Sequence, residues 1–99
     1  MTFEEHVQQA LDAVPEELAE QLRNVAIVVE DENPEEPDIY GLFELPEFLP
    51  AKVTIYRVPL EADFPEPDLL EHEIRVTVLH ELAHYFGIDE DRLAELGYA

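Results

Sequence analysis

VLHELAHYFGIDED, residues 78–91, is the stretch whose reading decides the fold. His80 and His84 are four residues apart, and Glu81 follows the first of them. On an α-helix that spacing stacks two side chains one turn apart on one face, so both imidazoles can reach a single ion at about 2.0–2.1 Å. Glu81 then stands beside the ion without having to ligate it, placed to take a proton from a water held there. Gly87, three residues after His84, ends the pattern.

Outward from this point, the helical pattern runs back to residue 69. At 100° per residue, Ile74, Val78, Leu82 and Phe86 fall together, flanked by Leu70, Leu79 and Ala83, and form the core-facing stripe. Glu73, Thr77, His80, Glu81 and His84 share a different sector. Past the helix, a glycine at 87 can take the left-handed conformation that turns the chain back, bringing a side chain three residues on toward the ion. That residue is Glu90. Its neighbours Asp89 and Asp91 compete after a small change of register, Asp91 being the alternative third ligand, with Glu95 behind it. Asp89, Glu90 and Asp91 also suit the first turn of a last helix over DEDRLAEL, with Asp89 as its cap. Glu73 lies about 10 Å along the axis from His80, too far to share the ion.

His80, Glu81 and His84 make the HExxH arrangement, whose mechanics belong to zinc-dependent hydrolysis. Other chemistry-bearing residues read as structural. His6 and His72 are isolated in acidic helical surroundings and read as solvated surface residues. Arg75, about 140° around the helix from His80, is expected to pair with a carboxylate. Tyr56 and Tyr85 read as packing residues, with donation to a developing oxyanion as the alternative. Met1 is the only methionine, which excludes the methionine turn of the metzincins.

The 99 residues suffice for one domain, residues 1–99, with one modest core. Five basic residues against 25 acidic ones give a formal charge of −20, which repels nucleic acid and anionic membranes and leaves a cationic peptide, a basic protein or a metal cation as partner. There is no cysteine, so a transition metal must use histidine and carboxylate ligands. The first residues, MTFEEHVQQALDAV, lack the basic start and apolar run of a signal peptide, and no stretch reaches the length of a membrane span. A soluble cytoplasmic protein is expected.

Phe3, Val7, Ala10, Leu11 and Val14 predict a first amphipathic helix, and Pro15 opens a second over PEELAEQL. VAIVV at 25–29 reads as a strand covered on both faces. IYGLFEL at 39–45 and AKVTIYRV at 51–58 read as further strands, the latter with unlike faces and an edge along which a peptide could pair. EADFPEPD reads as a loop. The order predicts an α+β domain in which the long helix lies across a small sheet of three or four strands.

VTIYR, EIRVTVLHELAHYFGI and DRLAELGYA, with the VAIVVED strand and the Tyr-Gly-Leu turn, resemble the small bacterial zincin-like proteins called minimal metalloproteases. The resemblance spans most of the chain and is strongest from Val53 to Ala99. It implies a zincin-like fold and the extended motif HExxHxxGxxD, with both histidines and the aspartate as zinc ligands. His80, Glu81, His84 and Gly87 match that motif, and Glu90 stands at the aspartate position.

The expected function is zinc-dependent hydrolysis of peptide bonds, with His80, His84 and Glu90 or Asp91 holding Zn²⁺ and Glu81 acting on a water at the ion. A peptide or basic protein is the expected substrate. The alternatives are a zincin-fold module that binds protein without catalysis, and a structural metal site that ties the last helix to the long one.

Overall fold

The computed structural model describes residues 1–87 and 89–98; Ile88, Ala99 and the side chains of His84, Tyr85 and Phe86 lie outside the described residues. Three strands and five helices follow in the order α1 (Phe3–Asp12), α2 (Glu16–Leu22), β1 (Val25–Glu30), β2 (Gly41–Glu44), β3 (Ala51–Tyr56), α3 (Arg57–Asp63), α4 (Pro67–Phe86) and α5 (Glu90–Glu95). The α+β class and the long helix over a small sheet agree with the sequence reading.

Local chemistry sets the helix ends. Thr2 accepts a hydrogen bond from the Glu5 N–H while the Glu5 carboxylate accepts from the Thr2 N–H, a reciprocal cap that satisfies two orphan donors of α1. Pro67 occupies the first position of α4, where its missing N–H costs nothing. Gly87 closes α4 in the left-handed conformation, φ 63° and ψ 28°. Asp89 caps α5, its carboxylate accepting from the Asp91 N–H at 2.9 Å.

The sheet order is β1-β3-β2, with β1 parallel and β2 antiparallel to β3. β3 is therefore the central strand, and a peptide has no edge to pair with there. Its expected unlike faces are also corrected: Val53, Thr54, Ile55 and Tyr56 are all buried. Val53 and Ile55 face the helices, whereas Tyr56 on the opposite face is covered by the loop after β1, from which the Asn33 side-chain amide donates to its hydroxyl at 3.0 Å. β1 is an edge strand, and its expected cover on both faces is corrected: only Val25 of VAIVV is buried, and Ala26 is exposed.

α1 and α4 pack on the same face of the sheet. Phe3, Val7 and Ala10 of α1 meet Val25, Phe43, Val53 and Ile55 of the strands and Ile74, Val78 and Leu82 of α4 in one core cluster. A second cluster joins Leu18 of α2, Leu79 and Ala83 of α4, Leu93 of α5 and Tyr98. The core stripe predicted for α4 is thus buried at every described position. Each fully buried aliphatic side chain contributes about 1.5–3 kcal/mol by leaving water. This double anchoring fixes the rotation of α4 and so the direction of its polar sector. No described helix is long and apolar enough to cross a membrane.

Candidate active site

Four of the five residues assigned to the polar sector of α4, namely Glu73, Thr77, His80 and Glu81, line one open cleft of about 440 Å³. The fifth, His84, lies one turn further along α4, its side chain outside the described residues. The facing wall is Asp38, Ile39, Tyr40 and Gly41, the segment entering β2. The volume is in the range of ligand-binding clefts, about 300–1,000 Å³.

Gly41 brings this wall close. A Cβ at position 41 would stand 2.6 Å from Thr77 Cγ2 and 3.9 Å from Glu81 Cγ, so only glycine lets β2 lie against α4 here. β2 is an edge strand. The Tyr56 N–H donates to the Tyr40 carbonyl at 2.9 Å, which makes 40 and 56 a hydrogen-bonded pair. The alternation of an antiparallel ladder then turns the N–H and C=O of Gly41 away from β3, toward the open edge beside Glu81. Tyr40 is held by its hydroxyl, which donates to the Asp63 carboxylate at the end of α3, and by an edge-on contact with Phe64. The bond to Asp63, with burial as a smaller cause, pushes the Tyr40 hydroxyl above the ordinary phenol range and keeps it protonated.

His80 is exposed, and Glu81 is half-buried beside it. Nε2 of His80 lies 2.9 Å from the backbone carbonyl oxygen of Tyr98, so that nitrogen carries the proton and donates. Glu90 and Asp91 are exposed on the first turn of α5. Among the described residues no three His, Asp or Glu side chains are grouped to hold an ion. The expected set of His80, His84 and Glu90 or Asp91 includes a side chain outside that description. By donor chemistry the set suits zinc, two imidazoles and a carboxylate being ordinary ligands of a hydrolytic site.

Several expectations change. His6 is not solvated: its side chain is 13% exposed and Nδ1 lies 2.6 Å from the Glu71 carboxylate, joining α1 to α4. His72 stacks on Tyr98. Arg75 makes no carboxylate pair among the described residues; its guanidinium lies over the Tyr98 ring, 5.9 Å from the centroid. Glu95 pairs with Arg92. Sequence reasoning missed Asp38, Ile39, Tyr40 and Gly41 as cleft residues, although a glycine opening a β-rich run, YGLFE, signals close backbone approach. It also missed the Tyr98 carbonyl, for which the sequence carries no signal.

The family model of the zincin-like metallopeptidases matches residues 22–98, a span that takes in the sheet, the cleft and the turn after α5. A search of curated proteins found no match.

Proposed function

The chain belongs to the zincin-like metallopeptidase family, and on that premise we propose that it hydrolyses peptide bonds in the cleft between β2 and α4. One observation carries the reading: His80 and Glu81, adjacent on α4, open into a single cleft whose other wall is the edge strand at Gly41.

An extended peptide pairs with the outward N–H and C=O of Gly41, which sets its backbone across α4 at the level of Glu81. Asp38, Glu73 and Glu81 line the cleft without a Lys or Arg among them, so basic side chains next to the cleaved bond are favoured. His80, His84 and Glu90 or Asp91 are the residues that would hold zinc. Zinc, when bound, supplies Lewis acidity toward the peptide carbonyl and the water. The Glu81 carboxylate takes a proton from the attacking water as its oxygen bonds to the carbonyl carbon. It then passes that proton to the amide nitrogen as the C–N bond breaks, leaving a free carboxylate and amine.

The test is cleavage of a diverse synthetic peptide mixture rich in Lys and Arg, read by mass spectrometry. Cleavage that a chelator stops and added zinc restores is the expected result. An intact mixture after prolonged incubation with zinc-supplemented protein would overturn the proposal and favour a non-catalytic binding module.

A further inference from the structure

The residues that follow α5 close that helix and also reach the candidate metal site. Gly97, at φ 87°, donates its N–H to the Ala94 carbonyl at 3.0 Å, and the Tyr98 N–H donates to the Leu93 carbonyl at 2.8 Å. Together these bonds form a Schellman closure, which needs a left-handed residue at position 97. The Tyr98 ring is buried in the second core cluster with Leu93. It stacks on His72, centroids 5.8 Å apart and planes at 28°, and lies under the Arg75 guanidinium. With its ring and its amide both anchored, Tyr98 holds its carbonyl oxygen 2.9 Å from Nε2 of His80.

Two histidines four residues apart converge on an ion through their far nitrogens, because Nδ1 sits next to Cβ and close to the helix surface. An ion ligated by Nε2 lies about 2.0–2.1 Å from it, on the line along which the N–H now points. It would stand within about 1 Å of the Tyr98 oxygen, far inside any metal–oxygen contact. The hydrogen bond and the ion exclude each other.

We infer that the turn from Leu96 to Tyr98 is a latch on the candidate metal site, competing with the metal for Nε2 of His80. The inference rests on the proposed role of His80 as a ligand. α5, the helix this turn closes, also carries Glu90 and Asp91, so the element that must release His80 is the one bearing both candidate third ligands. Metal entry therefore goes with a re-seating of α5, and apparent affinity is reduced by the fraction of molecules with the latch closed.

The experiment is calorimetric titration of zinc into the metal-free full chain, for wild type, Tyr98→Ala and Gly97→Ala, with hydrogen exchange followed at the Gly97 and Tyr98 amides. Gly97→Ala opens the turn while keeping the ring, and carries the test if Tyr98→Ala does not fold. Both variants should bind zinc about ten-fold more tightly than wild type. In wild type, zinc should speed exchange at the two amides. Affinities within two-fold of wild type, with exchange unchanged, would overturn the latch and leave the metal site standing. Weaker binding in both variants would also overturn it, making the carbonyl a support for the ligand. Absence of zinc binding in all three proteins would overturn the metal site and the latch together.

Discussion

Gly41 and Thr77 touch so closely that a side chain on the strand has no place: a Cβ at position 41 would stand 2.6 Å from Thr77 Cγ2 and 3.2 Å from the Thr54 carbonyl oxygen. The second atom it would meet is a backbone oxygen of the central strand, which no side-chain rotation moves away. The edge strand and the polar face of α4 are thus held together by the absence of one carbon atom.

Gly41→Ala should therefore push β2 off α4 and lower stability by about 1–3 kcal/mol, as overpacked positions do. Thr77→Ser removes the methyl group and should recover most of that loss when combined with Gly41→Ala. A double-mutant cycle by urea unfolding checks this; two losses that simply add would show that the contact does not limit the approach.

How much could be read from the sequence follows from which residues act locally. The stripe of Ile74, Val78 and Leu82 has one reading, and Gly87 after it marks one end, so α4 and its polar sector were legible. α3 was not: AKVTIYRV reads as a strand through residue 58 and EADFPEPD as a loop, whereas the chain turns helical at Arg57 with Pro59 in the first turn, where proline is tolerated. The Arg57–Glu61 pair at i,i+4, 2.6 Å in the structure, was the available signal. The strand order could not be read, because the parallel partnership of β1 with β3 across an intervening strand is a long-range choice. The spacing of His80 and Glu81 put both in the polar sector of α4, and both line the cleft. The Tyr98 contact, 18 residues away, depends on how α5 seats against α4.

The His6–Glu71 contact is a second close tie between elements, since α1 meets α4 there and both side chains are mostly buried, 13% and 19% exposed. Removing one partner leaves the other mostly buried without its hydrogen bond. His6→Ala and Glu71→Ala should each cost about 1–3 kcal/mol, with the double variant costing less than the sum of the two. Chemical denaturation measures all three; strict additivity would contradict a direct coupling.

Acid sensitivity of α1 follows from its reciprocal cap. Hydrogen bonds from the Thr2 backbone N–H and from the Thr2 side chain hold the Glu5 carboxyl below its ordinary value of 4.5. A carboxyl depressed in the folded state adds stability that is complete above its unfolded value and is lost as pH falls through the folded one. Wild type should therefore melt higher than Glu5→Gln at pH 7, and the gap should close as the pH is taken below that of the folded carboxyl. A melting-temperature difference that stays constant down to acid would contradict the charged cap.

Glu81, proposed to move the proton in the cleft built by α4 and β2, is probed by the near-isosteric, uncharged variant Glu81→Gln. Hydrolysis of one cleaved peptide should be compared at equal zinc content for wild type and Glu81→Gln, both shown to fold alike. Glu81→Gln should bind zinc with an affinity close to wild type and lose at least about 10²-fold in kcat, the scale of a general base. Turnover by Glu81→Gln within a few-fold of wild type would contradict that role.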